Sequence, residues 1–238
     1  MDQLSGKMLL VVVAKEPVAG HVKTRLSPAL SPEEGATLYQ CMVSDRLQEV
    51  AGLRGIHLAV AFTPPTARES FVLMAPAGFH LFAQRGKDLG ERLHSIFVDA
   101  FAKGYRAVTI IDSDSPDLPK ETVLESFRLL LSQQSDVVFG PCHDGGYYLV
   151  AMREPHPELF EDIPWSTASV LETSLERAGE MGLKTELLSW WNDLDTFEDL
   201  VDFYHKYKRG ERLQDQCGRQ TIAFLSRLDK IKGSSPTG

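Results

Sequence analysis

Residues Met8 to Ala14 read Met-Leu-Leu-Val-Val-Val-Ala, apolar without a break, and Lys15, Glu16 and Pro17 close the run. A strand with one wet face alternates apolar and polar side chains. One that does not alternate is covered on both faces, as an interior strand of a parallel sheet is. Spanning a bilayer takes about 20 apolar residues, far more than this run offers, and no signal-peptide cleavage pattern follows it. The rest of the chain therefore has to supply helices for both faces of a sheet.

The pattern downstream does so. Ser31-Pro32-Glu33-Glu34 combines a capping Ser, a first-turn Pro and a Glu three positions on, which marks a helix start, and Leu38, Met42, Leu47 and Val50 give that helix an apolar stripe. Ile56 to Phe62 predicts a second strand, Pro64 to Met74 a short helix and Phe79 to Ala83 a third strand. A capped helix from Asp88, a strand at Ala107 to Ile111, a helix at Lys120 to Leu131 and a strand at Asp136 to Phe139 continue the alternation. Asp144-Gly145-Gly146 marks a turn, followed by a strand at Tyr147 to Met152, a helix at Ser166 to Met181, a strand at Leu183 to Leu188 and a helix from Phe197 to about Lys208. A last amphipathic stretch carries Ile222, Leu225 and Leu228. Such alternation predicts an α/β chain with a mainly parallel sheet and a ligand crevice beyond the carboxyl ends of its strands. No repeat or linker divides it, so a single domain over residues 1–232 with a disordered tail at 233–238 is expected.

Composition narrows the partners. A formal net charge of −8 over 238 residues argues against nucleic acid, which needs an extended positive surface. Three widely spaced cysteines, Cys41, Cys142 and Cys217, make neither a disulfide framework nor a zinc spacing, which fits a cytoplasmic protein without membrane insertion. Any anion site must then be local. Lys15, Lys23 and Arg25, against Glu16, concentrate positive charge just after the first strand, with Gly20 to let backbone approach a ligand; alone, these residues equally fit a solvated loop. The loop matches neither the P-loop nor the dinucleotide glycine fingerprint.

After the fourth strand, Asp112, Asp114 and Asp117 crowd three carboxylates into six residues. Two like charges about 4 Å apart repel by roughly 4 kcal/mol at an effective dielectric near 20, which a shared divalent cation relieves. Mg2+ (or Mn2+), which takes one or two carboxylates plus waters and substrate phosphates, suits an acidic loop facing a basic one, with Asp114 the better ligand; Asp112 or Asp117 can instead cap or shape the following turn. Asp195 or Thr196 heads the next helix, and Asp195 can add a second carboxylate. Asp144, Gly145 and Gly146 serve equally as a hairpin turn or as an opening for an acceptor. The stretch Gln84 to Leu93, with Gly86, lies on the crevice side and is expected to meet base or sugar. No serine elbow or suitably placed cysteine completes a nucleophilic triad, and His21, His57, His80 and His94 show no metal spacing.

Taken together, AKEPVAGHVKTRL, QRGKDLGERL, DSDSPDLP, GPCHDGGYYLVAM, PWSTASVL and DLDTFEDL resemble a bacterial family of cofactor-guanylyltransferase-like transferases. These are also labelled radical-SAM/selenodomain-associated or arsenosugar-biosynthesis glycosyltransferases, within the nucleotide-diphospho-sugar transferase superfamily. The resemblance spans about residues 8 to 205. It implies a three-layer α/β/α GT-A type, Rossmann-like fold with a mixed sheet and nucleotide at the strand ends. It also implies roles: Lys15, Lys23 and Arg25 toward the nucleotide, Asp114 and Asp195 toward the metal; Gly20, Gly86 and Asp112 join the expected nucleotide-binding set on their places beside the crevice. Phe197 stands where related proteins carry a Pro, and Ser115 where they carry a Cys.

The expected activity is that of a metal-dependent nucleotidyltransferase. It would join a nucleoside monophosphate from an NTP to a small phosphorylated or hydroxyl acceptor and release pyrophosphate, with Lys23, Arg25 and Asp114 catalytic. Glycosyl transfer from an NDP-sugar, with Asp112-Ser113-Asp114 as a DxD motif, is the rival, and a non-catalytic nucleotide-binding module the third reading. The sequence fixes neither base, acceptor nor oligomeric state.

Overall fold

The computed structural model describes residues 8–210 and 218–235; Cys217 and the last part of the expected tail, 236–238, lie outside the described residues. The elements follow in the order β1 (Met8–Lys15), α1 (Pro32–Ala51), β2 (His57–Thr63), α2 (Arg68–Met74), β3 (Phe79–Ala83), α3 (Leu89–Ala102), β4 (Ala107–Ile111) and α4 (Lys120–Leu131). Then come β5 (Val137–Pro141), β6 (Tyr147–Met152), α5 (Val170–Glu180), β7 (Thr185–Leu187), α6 (Phe197–Lys208), α7 (Arg219–Leu225) and α8 (Asp229–Lys232). The strands form one seven-stranded sheet in the order β3-β2-β1-β4-β6-β5-β7, parallel except for β6, which runs antiparallel to both β4 and β5.

β1 is interior and covered on both faces, as its unbroken apolar run requires. Leu10, Val12 and Ala14 pack on one side with Tyr39, Val43 and Leu47 of α1, Phe71 of α2 and Phe127 of α4. Leu9 and Val11 pack on the other with Leu93, Ile96 and Phe97 of α3 and Leu171 of α5. The result is the expected three-layer α/β/α arrangement. A third cluster joins Leu38 and Met42 of α1 to Leu200, Phe203, Ile222 and Leu225 of the C-terminal helices.

Topology decides where a site can form. From β1 the chain builds outward through β2 and β3, then returns to place β4 on the other side of β1, pairing Met8 with Ala107 and Val12 with Ile111. The strand order thus reverses between β1 and β4; the loops leaving these two neighbours lead to α1 and α4 on one face of the sheet, while α3 covers the other, and a crevice opens beyond the strand ends. Both charged loops of the sequence leave from this point.

Two boundaries differ from the periodicity. The helix expected from Ser166 starts at Val170, because Ser166 has a left-handed backbone (φ 66°) and Pro164–Ser169 forms turns instead. The strand expected over Leu183 to Leu188 shortens to Thr185–Leu187, at the sheet edge. The Asp144–Gly146 segment is a hairpin turn between β5 and β6, its chain reversal closed by Cys142 N–H to Gly146 O at 3.0 Å. Lys232 ends α8, and the 233–235 stretch follows it, with Ser234 O 2.7 Å from His205 Nε2.

Candidate active site

Lys23 is the centre of the crevice. It sits in the left-handed region (φ 50°) where the loop from β1 tightens into a 3-10 turn, Thr24–Leu26, anchored by buried Leu26. Its side chain is 3% exposed, and Nζ lies 2.5 Å from Asp114 Oδ1, 2.8 Å from Asp195 Oδ1 and 2.8 Å from Leu194 O. An ammonium has three N–H donors, so all of them are engaged. Burial alone would lower the pKa of Lys23; attraction from Asp114 and Asp195, with the hydrogen bonds to both, outweighs it and holds the pKa above the ordinary lysine value. Burial likewise works to raise Asp195, yet Lys23, then Arg25, bring its carboxyl below the usual range. The two acidic segments are also tied through backbone, Leu194 N–H donating to Asp114 O at 3.0 Å.

A frame of buried groups fixes these loops. Tyr39 OH accepts from Lys15 N–H at 3.0 Å and shares a 2.8 Å hydrogen bond with Ser113 Oγ, while Lys23 Nζ lies 5.9 Å from the centre of its ring. Arg46, fully buried on α1, donates to Leu118 O at 2.8 Å and to Ser115 O, which holds the turn after the acidic triplet. Asp45 beside it accepts from Gln220 and Thr221 N–H at 2.9 and 2.8 Å, seating α7. Neither Tyr39, Arg46 nor Asp45 was visible as a site residue in the sequence; on α1 they read as ordinary turns of an amphipathic helix.

The cleft above this frame has a volume of about 420 Å3; Lys15, Lys23, Arg25, Gln84, Asp112 and Asp114 are among its lining residues. Arg25, with its side chain 65% exposed, reaches Asp195 at 3.5 Å and is otherwise open to the cleft. Asp112 turns its oxygens to its own loop, accepting from Asp114 N–H and Ser115 Oγ, both at 3.3 Å. Burial, then repulsion from Asp114 and Asp193, holds its pKa well above the ordinary carboxylate value. Two expected contact residues are not on the cleft lining. Gly20 (φ 77°) serves a backbone turn with open space around it, and Gly86 (φ 141°) lies so close to α3 that an added Cβ would fall 2.6 Å from Glu91 Cβ.

A second cavity, about 470 Å3, adjoins the first and shares Arg25 and Asp195 with it; His143, Asp144 and Asp193 are on its wall. Of the expected acceptor trio only Asp144 lines it. Gly145 is required elsewhere: a Cβ there would sit 1.9 Å from Ala168 O, and Gly146 N–H closes the turn on Asp144 Oδ1 at 2.9 Å. Asp193, not singled out in the sequence, is pushed up to about 7 by burial and by repulsion from Asp195, Asp144 and Asp114. Of the two expected helix heads it is Thr196 that caps α6, in a capping box with Asp199, which leaves Asp195 to the cleft.

A family model described as "Uncharacterized protein conserved in bacteria (DUF2064)" matches residues 46–167. The chain belongs to this family. A Desulfovibrio desulfuricans G20 protein, provisionally named a nucleotide-diphospho-sugar transferase, is 32% identical to this DUF2064 chain, superposes with a TM-score of 0.83 and matches 94% of this chain and 96% of its own. The 2-phospho-L-lactate guanylyltransferase of Methanothermobacter thermautotrophicus is 28% identical over 184 residues, which are 76% of this chain and 77% of that enzyme. A cytidylyltransferase from Leptospira borgpetersenii serovar Hardjo-bovis shares the fold, with a TM-score of 0.56 at 12% identity over 98% of this chain and 99% of its own. The DUF2064 chain is thus a transferase of the nucleotide-diphospho-sugar transferase superfamily, as the motifs implied. Among the described residues no helix is long and apolar enough to cross a membrane.

Proposed function

We propose that this protein is a nucleotidyltransferase that moves a nucleoside monophosphate, GMP from GTP, to a small acceptor and releases pyrophosphate. The observation that carries the reading is the meeting of opposite charges at the switch point: Lys23 wedged between Asp114 and Asp195, with Lys15 and Arg25 beside it on the wall of one cleft. The choice of guanine follows the likeness to guanylyltransferases.

In this reading Lys15 and Arg25 bind the triphosphate, because their charge is not taken up by three acceptors as that of Lys23 is. Lys23 holds the two acidic loops at a fixed separation. An acceptor oxygen, from a phosphate or a hydroxyl, attacks the α-phosphorus in line; the bond to the oxygen bridging to the β-phosphorus breaks, and pyrophosphate leaves against Arg25. The second cavity, opening beside Asp195 and Arg25, receives the acceptor, with Asp144 and Asp193 available to orient its hydroxyls or to take a proton.

The donor set suits magnesium. Among the described residues no three acidic, His or Cys side chains are grouped to cage an ion, whereas Asp114 keeps one oxygen clear of Lys23, and the Asp195 oxygen that Lys23 leaves, Oδ2, is 3.5 Å from the exposed Arg25. Two carboxylates completed by water and substrate phosphate are the usual protein share of a Mg2+ shell. Bound there, Mg2+ or Mn2+ would neutralise charge on the phosphate oxygens.

Glycosyl transfer is the second reading, favoured by the name of the Desulfovibrio relative. It gives Asp112 a DxD role, but both oxygens of Asp112 are turned to its own loop. The two are separated by incubating the protein and Mg2+ with GTP, CTP, ATP and UTP and a panel of phosphorylated and hydroxyl acceptors, and in parallel with NDP-sugars. Acceptor-dependent pyrophosphate release from GTP is expected. Release of a nucleoside diphosphate from sugar donors alone would replace the proposal with the second reading.

A further inference from the structure

The ladder between β1 and β4 ends at Val12 and Ile111; beyond that pair β1 runs on to Lys15, while β4 gives way to the acidic loop. One side chain spans the gap. Tyr39, on the buried face of α1 and 4% exposed, accepts from Lys15 N–H at 3.0 Å and shares a 2.8 Å hydrogen bond with Oγ of buried Ser113, which stands between Asp112 and Asp114. A phenol oxygen carries one hydrogen and can also accept, so a single hydroxyl serves both loops at once. Burial, then the charge of Asp114, hold its pKa above the ordinary tyrosine value, so the bridge is neutral. Each loop is otherwise held from its own side. Glu16 N–H donates to Thr63 O at 2.7 Å toward β2, whereas Asp112 N–H donates to Tyr148 O at 2.9 Å toward β6. Tyr39 is thus the link at the root of the cleft, and Lys23, whose Nζ lies 5.9 Å from the Tyr39 ring centre, is the link to Asp114 farther along the loop.

A divalent cation shared by carboxylate and phosphate oxygens adds to nucleotide binding only if the loop that holds the carboxylate keeps a fixed distance from the loop that holds the phosphate. We propose that Tyr39 is a positioning residue that couples the two halves of the cleft: its hydroxyl fixes the β1 loop against the acidic loop, so that Mg2+ at Asp114 and a triphosphate at Lys15 strengthen each other's binding. Such coupling is reciprocal, and it is read as a ratio of affinities. The proposal rests on the nucleotide reading of the cleft and deepens it.

The test is calorimetric binding of GTP, in excess Mg2+ and in EDTA, to the wild-type protein, Tyr39→Phe, Ser113→Ala and the double variant. Tyr39→Phe keeps the ring in the core and removes the hydroxyl; Ser113→Ala cuts the other end of the bridge. The wild type is expected to bind GTP about tenfold more tightly with Mg2+ than without, within the usual range of coupling between two sites. Either substitution should bring that ratio to within about twofold. The double variant should be no worse than Tyr39→Phe alone, as for two ends of one link. A merely structural loss lowers both affinities together and leaves the ratio at its wild-type value. That result, a wild-type ratio near one, or losses that add in the double variant would overturn the proposal while leaving the nucleotide reading intact; a wild type that binds GTP in neither condition would defeat both. If Tyr39→Phe does not fold, the ratio in Ser113→Ala decides by itself.

Discussion

The two adjoining cavities share Arg25 and Asp195 yet resolve their charge in opposite ways. In the first, the repulsion between Asp114 and Asp195 is relieved from within the fold, by a lysine buried between them. In the second, Asp193 faces Asp195, Asp144 and Asp114 with only a distant share of Lys23, and its carboxyl is pushed up to about 7. The lesson is that one cavity is electrostatically finished before any ligand arrives and the other is not. A finished site can offer exposed cations such as Arg25 to a polyphosphate; an unfinished one favours whatever brings positive charge or donated hydrogens.

Removing the internal cation should do the most damage. Lys23→Met leaves two partly buried carboxylates facing each other, and breaking a buried pair in this way costs about 3–5 kcal/mol. Urea denaturation should show a loss of that size, and adding Asp195→Asn to Lys23→Met should recover part of it. A loss under about 1 kcal/mol would mean that the first cavity is no better settled than the second.

The next effect belongs to the second cavity and carries a pH signature. Asp193 ionises near 7 in the folded chain, well above the usual 3.8. Between those values the folded state holds a proton that the unfolded chain has lost, so stability falls as pH rises toward and through 7. Asp193→Asn removes the dependence. Measured without divalent cations, the variant should be more stable than wild type at pH 8, by on the order of 1–2 kcal/mol relative to the difference at pH 5. A difference that does not change with pH would show that Asp193 is already relieved.

Arg25→Ala should be the mildest change to the fold. Its side chain is 65% exposed and 3.5 Å from Asp195, so the ion pair is worth about 0–1 kcal/mol. Thermal unfolding should barely move, while affinity for GTP falls by about tenfold with the loss of a charge-assisted contact. Unchanged GTP affinity would remove Arg25 from the polyphosphate site.

Much of this was legible in the sequence. The unbroken run of β1 announced a strand covered on both faces, and the capping pattern at Ser31-Pro32-Glu33-Glu34 marked α1 correctly, with Ser31 and Glu34 forming the box. Lys23, Asp114 and Asp195 stood out because charged residues just past strand ends have few purely structural duties. What stayed hidden depended on distances across the chain. Lys23 reads as a phosphate ligand until its neighbours 91 and 172 residues away are seen to occupy all of its donors. Gly20, Gly86 and Gly145 read as openings for a ligand, yet a turn, the approach of α3 and Ala168 account for them. Tyr39 and Arg46 are silent in sequence because a buried polar side chain on an amphipathic helix has no periodic signature of its own.

In the proposed function phosphates are gripped where the loops of β1 and β4 face each other. A crystal structure with Mg2+ and a GTP analogue carrying a non-hydrolysable α–β bridge would show whether they are. Density for the triphosphate is expected against Lys15 and Arg25, over Asp114 and Asp195. A nucleotide seated elsewhere on the protein, with the Lys23 cleft left clear, would contradict it.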